Sequence, residues 1–205
     1  MDKTVRSILE EHPEMRVMQL RSGEFKTRED SGEMVIEGYF AVFNSNYEIW
    51  EGASESIAPG AFDSSLSGDI RALTNHDTTL VLGRTKANTL ELKSDSHGLW
   101  GRVKINPKDS DAVNTYERVK RGDVDQCSIG FIIRKEETDF SDGGEIHWTI
   151  TDVELFEVSV CTFPAYEETG VSARHKDAEE LKKRAAEAWK LQMTDRLKKI
   201  STKEE

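Results

Sequence analysis

Met34-Val35-Ile36-Glu37-Gly38-Tyr39-Phe40-Ala41-Val42-Phe43 is dense in β-branched and aromatic residues and closes on the turn formers Asn44-Ser45-Asn46. Such a run, bounded by a turn cluster, predicts a strand. The same texture extends outward from about residue 15 to residue 161. Residues 69–74 alternate, with Ile70, Ala72 and Thr74 on one face and Arg71 and Leu73 on the other. Short strands are predicted at 80–82, 89–92, 99–105 and 127–134, separated by Gly, Asn, Asp and Ser. A long one is predicted at 146–161, with a bend or break near Asp152. Two helices interrupt the strands. One is predicted at 59–66, where Pro59 sits near the start and its missing N–H costs little. The other is predicted at 110–121, with Asp109 or Ser110 as cap, Val113, Tyr116 and Val119 at helical spacing, and Gly122 as the stop. The fold class is mainly β (α+β): an antiparallel sheet or barrel decorated by helices.

The ends differ from this body. Residues 1–14 form an arm, residues 15–172 the β body, and 162–172, with Pro164 and Gly170, a linker. In the tail, 173–205, the stretch 176–200 has no Gly or Pro. There Leu181, Ala185, Trp189, Met193 and Leu197 recur every fourth residue, the mark of an amphipathic helix. Charge divides the same way. The 205 residues carry 28 Lys/Arg against 39 Asp/Glu, a net charge of −11. Residues 174–205 hold ten basic against seven acidic side chains, leaving the rest at 18 against 32. An acidic body argues against sequence-independent nucleic-acid binding. No apolar run reaches the roughly 20 residues of a membrane helix. Met1-Asp2-Lys3 does not open a secretory signal, so a cytoplasmic location is expected. Cys127 and Cys161 fit neither a disulfide framework nor zinc spacing.

Three residues stand out chemically. Ser128 lies in Cys127-Ser128-Ile129-Gly130-Phe131, where strand alternation places Ser128 with Gly130 and sets Cys127 on the opposite face. Taken alone, a strand serine with a bonded hydroxyl is the commoner explanation, and Gln126 rules out the G-x-S-x-G elbow. His76, in Asn75-His76-Asp77, ends an alternating segment and suits a general base. Taken alone, a loop histidine bonded to its neighbours is the commoner explanation. His12, His97, His147 and His175 rank below it. Glu157 interrupts the apolar run Leu155-Phe156-Glu157-Val158-Ser159-Val160. In a core strand it needs a partner such as a charged histidine; taken alone, an outward-facing glutamate on a half-exposed strand is the commoner explanation. Asp152 and Glu154 are nearby substitutes.

Together these blocks resemble the prohead protease family of tailed bacteriophages. The matching stretches are Glu37–Asn44, Pro59-Gly60-Ala61-Phe62, Leu73-Thr74-Asn75-His76-Asp77 and Leu82-Gly83-Arg84-Thr85. They continue with Gly98-Leu99-Trp100, Gly122–Phe131, Leu155–Val160 and Pro164-Ala165, in the family's order over about residues 35–172. The resemblance implies a fold similar to herpesvirus capsid-maturation proteases, an antiparallel β-barrel with surrounding helices. It also implies a serine endopeptidase in which Ser128 is the nucleophile, His76 the base and Glu157 the third member. The implied substrates are the scaffold portion of the phage major capsid protein and the protease itself, inside the assembling procapsid in the host cytoplasm. No cofactor, metal, nucleic acid or membrane is called for, and a homodimer is compatible with it. The tail is expected to anchor the chain to scaffold or shell and to be lost by self-cleavage, a packing or dimer helix being the equal alternative. Two other classes compete. One is a non-catalytic assembly protein that keeps the fold. The other is a metal-dependent hydrolase using His76, Asp77 and His97 or His147, for which no ligand spacing speaks.

Overall fold

The computed structural model describes residues 16–20, 25–30, 32–141 and 144–162, with helical residues 178–180, 183, 186–187 and 190. The arm at 1–14, the linker beyond Thr162 and the apolar stripe from Leu181 to Leu197 lie outside the described residues. The chain divides into two compact units, Met1–Tyr166 and Glu167–Glu205. No described helix is long and apolar enough to cross a membrane.

Eleven strands are described, in two sheets. The smaller is antiparallel, in the order β2 (Lys26–Asp30), β3 (Glu33–Val42), β9 (Gly98–Lys104), β8 (Leu90–Ser94). The decisive sequence stretch is its β3. A register shift between Tyr39 and Ala41 breaks the alternation, so that Phe40 and Ala41 are both buried. Gly98 makes this pairing fit, since a Cβ there would stand 2.0 Å from the carbonyl oxygen of Ala41.

The larger sheet is built on two long strands, β10 (Gln126–Phe140) and β11 (Ile146–Cys161), paired antiparallel. β1 (Arg16–Leu20) flanks β10. The other edge of β11 is shared. Its first part pairs in parallel with β5 (Ala53–Ile57), which carries β4 (Tyr47–Trp50). Its last part pairs in parallel with β6 (Arg71–Thr74), which leads into β7 (Asp77–Arg84). β11 does not break near Asp152; the irregularity there is a pair of register shifts around Lys135, opposite Asp152.

The expected closed antiparallel barrel is therefore corrected. Closure needs every edge strand to bond a neighbour around the ring. Among the described residues, β1, β4 and β7 on one sheet and β2 and β8 on the other each have a single ladder partner, and the larger sheet is mixed. The sheets are joined by one apolar core instead. Ile36 and Phe40 come from β3, Cys127, Ile129 and Phe131 from β10, and Val158 and Val160 from β11.

The helix predicted at 110–121 is present as α1 (Ser110–Arg121). The Asp109 carboxylate accepts from the N–H groups of Asp111 and Ala112, and Gly122 ends it at φ 87°. The helix predicted at 59–66 is absent. Gly60 adopts φ 85°, which no right-handed helix contains, and the segment becomes successive turns: Ala61 N–H to Ala58 C=O, Asp63 to Gly60, Ser65 to Phe62. Ala61 and Phe62 are nonetheless fully buried, which explains their apolar character.

Candidate active site

The β6–β7 hairpin closes with two residues, Asn75 at φ 52° and His76 at φ 59°. Positive φ at both positions is the type I′ turn, whose twist matches the flanking strands. Asn tolerates that region best, and His more readily than most residues. The turn is tied to the end of β11: Asn75 N–H donates to Val160 C=O at 3.0 Å, and Asn75 Oδ1 accepts from Thr162 N–H at 2.9 Å. His76 is thereby delivered onto one face of the β10–β11 ladder.

Alternation dictates what that face carries. Residues directly opposite across an antiparallel pair share a face. Ser128 is opposite Ser159, Gly130 opposite Glu157 and Gln126 opposite Cys161. The face therefore presents Ser128, Glu157, Ser159 and Cys161, while Cys127, Ile129, Val158 and Val160 point into the core. His76 meets it with both ring nitrogens. Nδ1 lies 2.7 Å from Glu157 Oε1, and Nε2 lies 3.8 Å from the Cys161 sulfur. The second carboxylate oxygen, Oε2, accepts from the Ser159 hydroxyl at 2.6 Å, and Ser159 Oγ accepts from His76 N–H at 3.2 Å. Ser128 Oγ donates to Met18 C=O on β1 at 3.0 Å.

All of this is out of water. His76 is 3% exposed, Glu157 4%, and Ser128, Ser159 and Cys161 0%. Burial works against a charged imidazole. The Glu157 carboxylate and the Cys161 contact outweigh it, pushing the His76 pKa up to about 10. A buried carboxylate holding a buried imidazole is a charge pair that can stabilise an imidazolium formed during proton transfer.

The three residues singled out from the sequence thus fall on one patch. His76 and Glu157 are in direct contact, and Ser128 lies across the ladder from Ser159 with its hydroxyl on Met18 C=O. The nearby substitutes for Glu157 go elsewhere: Asp152 accepts from Ser64, and Glu154 pairs with Arg134. Cys127 is buried in the core, its thiol against the carbonyls of Tyr39 and Phe40.

The set suggested for a metal does not assemble. Asp77 accepts from Thr79, His97 packs edge-on against Tyr39, and His147 is held between Ser54 and Ser56 at 2.8 Å from each. No group of three or more His, Cys, Asp or Glu among the described residues is arranged to hold a metal ion. Ser159 and Cys161 are the site-face residues that sequence reasoning passed over. The available signal was period two: both share parity with Glu157 on a strand already recognised as long.

The chain matches the family model of the caudovirus prohead serine protease over residues 22–184. It is 32% identical over 154 residues to the prohead protease of Enterobacteria phage HK97, across 73% of this chain, and it spans 64% of that relative's length. Its fold is also similar, at a TM-score of 0.46 and 10% identity, to the bacteriophage T4 capsid assembly protease, over 73% of this chain and 98% of that one. By a match covering most of its length, this chain belongs to the caudovirus prohead serine protease family.

Proposed function

We propose that the chain is a serine endopeptidase of phage capsid maturation, with Ser128 as nucleophile, His76 as general base and Glu157 as the group that orients and charges the base. The observation that carries this reading is the buried 2.7 Å contact between His76 Nδ1 and Glu157, on the same strand face as Ser128. In the neutral form of the ring, with Nδ1–H donating to the carboxylate, Nε2 is the nitrogen left to receive a proton. In the reaction, the Ser128 hydroxyl turns from Met18 C=O toward Nε2 and its oxygen attacks the scissile carbonyl. Nε2 takes the proton and returns it to the leaving amine, and water then releases the acyl group by the same route. Glu157 stabilises the transient imidazolium throughout.

The substrates in this proposal are the scaffold portion of the major capsid protein and the chain itself, within the procapsid assembling in the host cytoplasm. Residues 15–172 form the protease domain, and 173–205 form a docking tail removed by self-cleavage. No cofactor takes part, and pairing of two copies at high local concentration is one way the site is brought into register.

One observation favours a second reading: Nε2 is in contact with the Cys161 thiol, at 3.8 Å. A thiol beside an imidazolium is a competent nucleophile. The test is to express wild type, Ser128→Ala and Cys161→Ala with capsid precursor and follow chain masses over time. Discrete cleavage by wild type and Cys161→Ala, with none by Ser128→Ala, supports the serine reading. The opposite pattern supports the thiol. No cleavage by any chain, at concentrations high enough to dimerise, moves the non-catalytic assembly reading ahead.

A further inference from the structure

We propose that Ser159 is a positioning residue for the His76–Glu157 pair, holding the carboxylate with its proton and the histidine backbone with its lone pair. This rests on the proposed function above and adds a residue to it. A hydroxyl has one hydrogen and two lone pairs. Here the hydrogen goes to Glu157 Oε2 at 2.6 Å and a lone pair receives His76 N–H at 3.2 Å, so a single oxygen touches both members of the pair.

Each contact answers a need. The last torsion of a glutamate is broad, so a carboxylate held at Oε1 alone can swing out of the imidazole plane. Holding Oε2 as well sets that plane. His76 N–H sits inside a two-residue hairpin turn, in a residue 3% exposed, where an unsatisfied donor is costly. Ser159 satisfies it and so fixes the point from which the ring is suspended. Position matters too. Ser159 is the cross-strand partner of Ser128, and its hydroxyl is committed to Glu157, leaving Nε2 to other groups. Ser159 is itself fully buried, so water cannot take its place without rearrangement.

The test compares Ser159→Ala with Ser159→Thr in the full chain, using the cleavage assay and the proton NMR signal of His76 Nδ1–H. Thr keeps the hydroxyl on a strand, and Ala removes it with little change of volume. Ser159→Ala is expected to lower kcat about 10- to 100-fold with KM unchanged, since misplacement of a working group costs rate rather than affinity. It is also expected to move the Nδ1–H signal, while Ser159→Thr keeps both near wild type. Wild-type kcat together with an unmoved Nδ1–H signal in Ser159→Ala overturns the proposal. So does an equal loss of kcat in the Thr variant when that variant is folded. Should the Thr variant not fold, the alanine variant's NMR signal and kcat decide. Should Ser128→Ala remain active, the nucleophile assignment fails, and the NMR signal still reports whether Ser159 holds the pair.

Discussion

Around Ser128 both faces of the β10–β11 ladder are buried, one of them apolar and the other polar. One presents Cys127, Ile129, Phe131, Val158 and Val160 to the core. The other, offset by a single residue, presents Ser128, Glu157, Ser159 and Cys161 under His76. On the first, burial is favourable residue by residue. On the second, burial is unfavourable for every group unless it is bonded, and there His76, Glu157, Ser159 and Ser128 each have a hydrogen-bond partner. The difference teaches that burial on this ladder says nothing about role; parity along the strand does.

Substitutions that separate activity from stability sharpen this contrast. The largest effect expected is on the polar face: Ser128→Ala should cut the cleavage rate by about five to six orders of magnitude, with a urea midpoint close to wild type. A matching loss of stability would erase the distinction between the faces. Next, Glu157→Gln should lower the maximal rate by about 10³- to 10⁴-fold, as removal of a triad carboxylate does. A base must be neutral to accept a proton, and Glu157, with the Cys161 contact beside it, raises His76 to about 10. The wild-type rate should therefore climb with pH up to about 10, and Glu157→Gln should move that climb to lower pH.

On the apolar face, Phe131→Ala should cost about 3–5 kcal/mol of stability by emptying a fully buried site, read from chemical denaturation. Activity per folded molecule should change far less. A pH series of the same denaturation reports the pair itself. The His76 pKa is 6.5 as an ordinary side chain and about 10 when folded. Its contribution to stability is therefore complete below pH 6.5 and fades as pH rises through 10. His76→Ala should flatten the curve in that window. The smallest effect is that of Cys127→Ala, about 1 kcal/mol of stability with cleavage retained, because its thiol faces the core.

Much of this was legible along the chain. β3, α1 with its Asp109 and Gly122 caps, and the long β11 follow from periodicity and end signals, which are local. Ser128, His76 and Glu157 could be named, and the opposite orientation of Cys127 followed from alternation. The failed helix at 59–66 has a local cause and the failed barrel a long-range one, and hydropathy pattern carries neither. Pro59 and the apolar Ala61 and Phe62 suggest a helix, yet Gly60 in the left-handed region converts the segment to turns. A strand-rich chain suggests an antiparallel barrel, yet β11 takes β5 and β6 in parallel on one edge, a choice made between segments about 90 residues apart.

The sequence by itself determined that the body is mainly strand, placed β3, α1 and the long β11, and set Ser128 and Cys127 on opposite faces, because sterics and hydropathy act within a few residues. Tertiary structure decided that His76 meets Glu157, that Ser159 touches both, and that Cys161 lies at the other ring nitrogen. The contacts that reach His76 join positions 81 to 85 residues apart. They exist only because β6 lies parallel to the end of β11 and a type I′ turn folds the histidine back over it, a long-range pairing that no local preference encodes.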